Sequence, residues 1–136
     1  MKYKSYVEMT RSEFYKRSFT WGLPLSLIGA IVCGVLMIRG YRPKRYGYCY
    51  YIAVGKAWGG LELGWFFLTD KNETEFIKNH ELGHSYQNTR YGFIMPILSI
   101  LSACRYWLKR MGVKIDYYSW WFEKEACEIG NEVTTK

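Results

Sequence analysis

The chain has 136 residues, of which 49% are hydrophobic and 19% aromatic, with three prolines and a formal net charge of +7 at pH 7. This length suits one domain with a modest core and is too short for two independent ones. The composition excludes intrinsic disorder and low-complexity sequence. The chain carries no RNP, zinc-finger or helix-turn-helix pattern, so we expect its basic charge to serve a membrane surface and not a nucleic acid.

An uncharged, apolar run occupies residues 20–38. Its 19 residues match the roughly 20 that an α-helix needs to cross a bilayer core. We therefore predict one transmembrane helix behind a polar segment, residues 1–19, that becomes helical toward its end. A buried core helix and a cleaved signal peptide are the alternatives. Basic residues flank the run, and the denser group after it predicts that the following residues lie on the cytoplasmic side. The flanking residues are Lys16, Arg17, Arg39, Arg42, Lys44 and Arg45.

The four cysteines show no CxxC spacing, and two of them lie inside apolar runs. Disulfide frameworks are typical of small secreted chains that lack a core, so we expect free, mostly buried thiols and a reducing compartment. The cysteines are Cys33, Cys49, Cys104 and Cys127.

The remainder of the chain predicts mixed α and β structure. Two aromatic-rich stretches, "YGYCYYIAVG" and "LELGWFFLT", are separated by "KAWGG" and predict two strands joined by a turn. Helical spacing follows Asn72, which stands three residues before Glu75 as in a capping box. Residues 91–108 contain an uncharged run too short for a span and predict a core, interfacial or re-entrant helix. The last helix is predicted to begin near Ser119 and to stop at Gly130.

Both histidines of the chain fall in "KNHELGHSYQ", four positions apart around Glu81. On a helix, positions i and i+4 lie on the same side, so His80 and His84 can each aim a ring nitrogen at one cation. In zinc hydrolases the glutamate of this HExxH pattern does not bind the metal but takes a proton from the attacking water and passes it to the leaving group. The pattern predicts Zn²⁺ ligation with Glu81 as general base, against a chance occurrence on a core or surface helix.

Two neighbours of the motif have structural interpretations. Gly83 would let another element approach the motif helix closely, or it is a tolerated helix glycine. Gln87 stands about one turn beyond His84, where it braces the site or caps the polar face, and we assign it no catalytic role.

A zinc site needs a further protein ligand, and the acidic candidates lie downstream of the motif. Helical spacing separates three of them. Glu123 and Cys127 share one face, whereas Glu125 and Glu128 lie about 200° and about 140° around the helix from Glu123. The candidates are Asp116, Glu123, Glu125, Glu128 and Glu132.

At "HELGHSYQ" and "WFEKEACEIGNEV" the chain resembles the gluzincin branch of the zincin metallopeptidases, in which one helix carries HExxH and a later helix the third ligand in an ExxxD pattern. The likeness covers roughly residues 58–133 and is closer to small bacterial membrane-associated zincins with HExGHxxQ and a later TExxADxxGG-type segment. It implies a zinc peptidase in which Glu123 is the third ligand. Cys127 stands where the pattern has an aspartate that hydrogen-bonds a ligand histidine, and a thiol is a poor substitute for it. The alternatives for Cys127 are a metal ligand and a buried helix cysteine, and Glu128 is a candidate for the orienting role.

The same resemblance implies that "LELGWFFLT" is the sheet edge along which an extended peptide binds by β-augmentation, with an ordinary core strand as the alternative. Tyr117 and Tyr118 are candidates for hydrogen bonds to the transition state near Glu123, or for interface tyrosines.

Topology adds a constraint. If residues 91–108 crossed a bilayer completely, His84 and Glu123 would lie on opposite sides and could not share one metal. Either that helix packs or re-enters, or the site lies within the membrane as in site-two proteases. The motif helix is too polar for lipid, which favours the first arrangement.

The sequence therefore predicts an α+β fold with a minimal zincin-like domain, residues 39–136, behind a transmembrane helix. The predicted protein is a membrane-anchored zinc peptidase that acts on peptides or proteins. The alternatives are a non-catalytic membrane-anchored protein with a structural or degenerate metal site, and a basic adaptor at the membrane surface. The substrate and the oligomeric state are left open.

Overall fold

A computed structural model describes residues 3–56, 58–114, 116 and 120–135, and these form six α-helices and a mixed sheet of four strands. The predicted α+β class is confirmed. The helices are α1 (Lys4–Val7), α2 (Arg11–Ser18), α3 (Leu23–Ile38), α4 (Glu75–Tyr91), α5 (Met95–Arg110) and α6 (Trp121–Thr134).

The sheet has the strand order β1-β2-β4-β3. β1 and β2 pair antiparallel, as do β3 and β4, whereas β2 and β4 pair parallel. This order leaves β3 at an edge of the sheet. The strands are β1 (Lys44–Tyr46), β2 (Cys49–Ala53), β3 (Gly60–Leu63) and β4 (Phe66–Thr69).

Glycines turn the chain inside both of the stretches predicted as single strands. Gly47 and Gly64 have φ angles of 60° and 75°, and each opens a two-residue turn between paired strands. "LELGWFFLT" is therefore the hairpin of β3 and β4, and β2 is preceded by a short β1. The prediction of two strands joined by "KAWGG" is wrong, because that segment connects β2 to β3, which are not neighbours.

Helices α1 and α2 pack the N-terminal segment against the domain. Thr10 caps α2, its side chain accepting a hydrogen bond from the backbone N–H of Glu13 at 3.2 Å. Phe14 is fully buried, and its ring centroid lies 5.2 Å from that of Tyr86 in α4. The helix predicted toward the end of this segment is confirmed, and its aromatic side chains belong to the core.

The predicted transmembrane run folds as α3, a helix of 16 residues. Leu25 and Cys33 pack in one core cluster with Phe66, while the other side of α3 is exposed. Among the described residues one helical stretch is long and apolar enough to cross a membrane, Glu75–Arg110, and a second if α2 and α3, bent by 96°, are joined. Core helices of soluble proteins share these properties, so the membrane anchor stays a prediction.

Helix α4 begins where Thr74 caps it. The Thr74 hydroxyl accepts a hydrogen bond from the backbone N–H of Ile77 at 3.3 Å. The backbone N–H of Asn72 instead donates to the carboxylate of Asp70 at 3.0 Å. The capping box predicted at Asn72 is wrong, because Asn72 lies in the turn that precedes the helix.

Helices α4 and α6 approach to backbone contact through a glycine on each. A Cβ atom on Gly83 would lie 1.8 Å from the carbonyl oxygen of Ala126, and one on Gly130 would lie 1.9 Å from that of Asn79. Any side chain would push the helices apart. The close approach predicted at Gly83 is confirmed. The helix stop predicted at Gly130 is wrong, since α6 continues to Thr134 and the glycine serves the contact.

The helix predicted within residues 91–108 is present as α5 and follows α4 through a short 3-10 turn, Gly92–Ile94. Ser102 of α5 is buried and donates a hydrogen bond to Glu123 of α6 at 2.9 Å. Helix α5 therefore packs over the α4–α6 pair and does not separate His84 from Glu123.

All four cysteines are free, as predicted. Cys33 and Cys49 are buried, Cys104 is exposed and Cys127 is half-buried. The expectation of mostly buried thiols therefore holds for two of the four.

Candidate metal centre

Helices α4 and α6 bring three potential ligand atoms to one point. The side chains of His80, His84 and Glu123 are all buried, with Glu123 completely so. Nε2 of His84 lies 2.9 Å from Oε1 of Glu123 and 3.1 Å from Nε2 of His80, which lies 3.2 Å from the same oxygen. The predicted ligand set is thus assembled and could hold a metal ion.

The separations match a small coordination site. Ligand atoms placed tetrahedrally at about 2.0–2.1 Å from a metal lie about 3.3 Å apart. The three separations here are 2.9, 3.1 and 3.2 Å. Lone pairs of two neutral imidazoles and a carboxylate repel one another at such distances unless a positive charge lies between them. The arrangement therefore fits a bound cation or, without one, a shared proton.

Gln87 fixes the orientation of His84. Its Oε1 lies 2.7 Å from Nδ1 of His84, and its Nε2 donates to the carbonyl oxygen of Phe122 at 3.0 Å and to the carboxylate of Glu125 at 2.9 Å. The two donations identify the amide nitrogen, so the amide oxygen accepts a hydrogen bond from the N–H at Nδ1 of His84. In the neutral imidazole, Nε2 of His84 is then the unprotonated nitrogen, and it is the one that faces the other ligands.

Cys127 contacts Nδ1 of His80, as Gln87 contacts Nδ1 of His84. Its Sγ lies 2.9 Å from Nδ1 of His80. Burial raises the pKa of this thiol to about 11, so it is neutral near pH 7. A thiol is a weaker partner than the aspartate that the resemblance leads one to expect. Because Sγ faces Nδ1 and not Nε2, Cys127 orients the ring and stands outside the ligand cluster.

The groups around Glu123 stabilise the ionised form of its carboxyl group. Burial alone would raise the pKa of this carboxyl group, but the positive charge on His84 and hydrogen bonds from both histidines lower it below its usual range. For His84, burial opposes the charged form, and the Glu123 carboxylate outweighs it and raises the pKa to about 9. Burial lowers the pKa of His80. Without a metal, His84 and Glu123 form a buried ion pair.

The rival acidic residues of α6 lie elsewhere. Glu125 accepts hydrogen bonds from Gln87 and from the hydroxyl of Tyr91, both at 2.9 Å. It therefore acts on His84 only through Gln87. Glu128 accepts from the hydroxyl of Tyr3 at 3.0 Å and Glu132 from the backbone N–H of Tyr3 at 3.0 Å. Their contacts point away from the ligand cluster, and Glu128 does not take the orienting role.

Glu81 lies beside the ligands and lines a cavity of about 310 Å³. Burial, with the nearby charge of Glu123, raises the pKa of Glu81 to about 7, although the charge on His84 opposes this. Gly60 makes room for it, because a Cβ atom there would lie 2.9 Å from Oε2 of Glu81. A carboxyl group with this pKa exchanges protons readily at neutral pH.

The sequence did not reveal Glu62, a second carboxyl group in the cavity wall. Glu62 is buried on β3, and its Oε1 accepts a hydrogen bond from the backbone N–H of Gly64 at 2.5 Å. Burial raises its pKa well above the usual range. Strand alternation alone could not have placed it beside the histidines, because that neighbourhood depends on the packing of β3 against α4.

The cavity lies between the motif helix, the edge strand β3 and helix α5. Its apolar walls are Trp58, Leu61, Ile77, Trp107 and Phe122, and its α5 side also carries Ser99, Ser102, Ala103 and Tyr106. Tyr117 and Tyr118, predicted as hydrogen-bond donors, lie outside the described residues.

Comparisons with protein-family models, with curated proteins and with solved structures found no match. The functional interpretation therefore rests on the geometry of the site.

Proposed function

We propose that the protein is a membrane-anchored, zinc-dependent peptidase. The observation that supports this is the convergence of two HExxH histidines and one glutamate within 3.2 Å of one another, beside a cavity lined by the motif's own glutamate. Two imidazoles and one carboxylate form one of the ligand sets found in catalytic zinc sites. The third ligand comes from a separate helix, so a chance match of five residues does not account for it.

His80, His84 and Glu123 would hold the metal, which supplies Lewis acidity that polarises a carbonyl group and lowers the pKa of a water molecule. Glu81 accepts a proton from the attacking water and gives it to the leaving amine. In the metal-free protein its pKa is raised to about 7 by burial, and a neighbouring cation would favour the ionised form that accepts the proton. Gln87 and Cys127 keep the two imidazoles oriented.

The substrate backbone would lie along β3. This strand is at the sheet edge, and its residues Gly60, Leu61 and Glu62 line the cavity. An extended peptide can hydrogen-bond to such an edge and place one carbonyl group beside Glu81. Helix α3 would anchor the protein through its exposed apolar side, and the basic cluster that follows this helix favours the cytoplasmic leaflet.

The substitution Glu81→Gln tests the proposal. The purified full-length protein, loaded with zinc, is assayed on a peptide library beside this variant and beside Glu13→Gln, a surface control on α2. We expect Glu81→Gln to retain the metal and to lose activity by about 10²- to 10⁴-fold, because the amide cannot accept the proton. Loss of zinc would make Glu81 a ligand, and a wild type that binds zinc without hydrolysing any peptide would indicate a structural site.

A further inference from the structure

Helix α5 has two opposite faces with different surroundings. Ser99, Ser102, Ala103 and Tyr106 line the cavity above the histidines. At 100° per residue, the residues on the opposite side of the helix are Ile97, Leu101 and their neighbours. These are apolar and exposed, with Ile97 60% and Leu101 48% accessible. One helix therefore separates the candidate metal centre from an apolar exterior.

Helix α3 carries a similar exposed stripe, and it contacts α5. Leu25 of α3 and Met95 of α5 belong to the same core cluster, so the outer stripes of both helices face away from that core. We define the apolar surface as Leu27, Ile31 and Ile38 of α3 together with Ile97, Ile100 and Leu101 of α5. Scattered exposed apolar residues are ordinary, whereas apolar stripes on two adjoining helices are typical of binding surfaces.

The charges beside the apolar surface identify its partner. Both helices lead into exposed basic residues, and neither residues 14–61 nor residues 91–115 contain an aspartate or glutamate. Apolar stripes that end in lysine and arginine fit a bilayer with anionic headgroups. The apolar side chains would be buried at the acyl-chain boundary, and the basic side chains would pair with the lipid phosphates. The basic residues are Arg39 and Arg42 after α3, and Lys109, Arg110 and Lys114 at and beyond the end of α5.

The cavity opens beside this surface. Trp107 of α5 lines the cavity and is 63% exposed, and Leu61 of β3 lines it and is 44% exposed. Side chains that are both cavity-lining and exposed mark the rim of the opening. An exposed tryptophan at the end of an apolar helix is also the residue type that settles at the headgroup level.

We infer that the apolar surface of α3 and α5 lies on an anionic bilayer and that the cavity opens at the membrane surface, so that its substrate is an apolar polypeptide segment held at that interface. The inference rests on the proposed hydrolytic function. The apolar walls of the cavity suit such a segment better than a polar soluble peptide. Binding at the same surface also raises the effective concentration of enzyme and substrate for each other.

The test uses full-length protein and two quenched fluorescent peptides of one apolar sequence, with and without an N-terminal palmitoyl chain. Vesicles are phosphatidylcholine alone or mixed with phosphatidylglycerol. We expect the wild type to bind the mixed vesicles and to cleave the lipid-anchored peptide at least about tenfold faster than the soluble one. The variant Ile97→Gln/Leu101→Gln should bind these vesicles about tenfold more weakly, with a matching loss on the anchored peptide only.

Two further variants keep the test decisive. Ile97→Val/Leu101→Ile preserves the apolar stripe and should behave as wild type. Lys109→Gln/Lys114→Gln leaves the stripe intact and should weaken binding to the mixed vesicles but not to phosphatidylcholine alone.

The outcomes separate this inference from the proposed function. Equal cleavage of both peptides, unchanged by the α5 variants, would overturn the inference and leave the peptidase standing. Vesicle binding without cleavage of either peptide would refute the proposed peptidase activity and the inferred substrate. The inferred membrane-binding surface would stand. Self-association through α3 and α5 without vesicle binding, measured by analytical ultracentrifugation, would show that the surface pairs two copies of the chain and would overturn the inference.

Discussion

Three buried carboxyl groups, Glu62, Glu81 and Glu123, surround two imidazoles in the interior of this protein. Buried charges are costly unless they are paired. Two of these groups have a raised pKa, while Glu123 keeps its charge through its contacts with the histidines. A divalent cation at the convergence point would offset the negative charge of Glu123 without a proton on His84. The charge of Glu123 can therefore be compensated either by a cation at the convergence point or by a proton on His84.

Replacing Glu123 by glutamine should abolish tight zinc binding. The amide keeps the size of the side chain but removes the ligand charge, and losing a ligand should exceed the 10- to 100-fold effect of losing an orienting residue, hence more than about 100-fold. Zinc stoichiometry and competition with a chromophoric chelator measure this. The matched control is Glu128→Gln on the same helix, which contacts Tyr3 and should bind zinc normally. A zinc-replete Glu123→Gln protein would refute the assignment.

Zinc affinity should keep rising from pH 7 to pH 9. In the metal-free protein the pKa of His84 is raised to about 9, so below that pH the metal must displace a proton from it. One displaced proton lowers the apparent affinity by about tenfold per pH unit below the pKa. An ordinary histidine pair with a pKa near 6.5 would reach constant affinity above about pH 7. Zinc affinity is measured by competition with a chelator at several pH values between 7 and 9. An affinity that is constant from pH 7 upward would contradict the prediction.

At the scale of elements, the α4–α6 contact positions the candidate site, because each helix supplies part of the ligand set. Gly83 lies one residue before His84, and Gly130 lies three residues after Cys127. Both are glycines because a backbone carbonyl of the other helix occupies the space of a Cβ atom. The ligand geometry therefore depends on how closely two helices approach, and that distance is set by residues outside the ligand set.

The substitution Gly83→Ala should destabilise the protein although alanine favours helices by about 1 kcal/mol. The added methyl group would meet the carbonyl oxygen of Ala126, and overpacking of this kind costs about 1–3 kcal/mol or more. Thermal unfolding in detergent solution measures the effect, and zinc affinity should fall with it.

The control is Gly34→Ala in α3, where nothing lies within 4 Å of the added Cβ atom. This change should leave stability unchanged or raise it by up to about 1 kcal/mol. Equal destabilisation by both substitutions would mean that the α4–α6 contact is not as close as described.

For the whole molecule, the distribution of polarity predicts membrane association. Apolar side chains of α3 are exposed along one side, Ile38 by 88%, and the net charge is +7. We expect the full-length protein to stay in the membrane pellet after carbonate extraction, since alkaline extraction removes proteins held by charge alone. A peripheral control protein should be released in the same experiment. Recovery of the intact chain in the soluble fraction would refute the membrane anchor.

Parts of the architecture could be predicted because they depend on local periodicity. The uncharged run of α3, the helical spacing of α4 and the aromatic strands were all visible, and the α+β class followed from them. The predicted ends of helices and strands were less accurate where two nearby residues could each serve as a cap, a turn or a helix end. Thr74 caps α4 in place of Asn72, Gly64 splits a predicted strand into a hairpin, and Gly130 serves a helix contact in place of a helix end.

The sequence by itself determined the ligand candidates His80 and His84 and the base candidate Glu81, because a spacing of four residues on a helix places two imidazoles on one side. The likeness of a later segment to known motifs proposed Glu123. Only the tertiary structure decided that Glu123 meets the histidines while Glu125 and Glu128 do not, because the rotation of α6 about its axis is set by packing across the chain. The same packing placed Gln87 behind His84 and Glu62 in the cavity wall, at sequence separations over which no local pattern carries information.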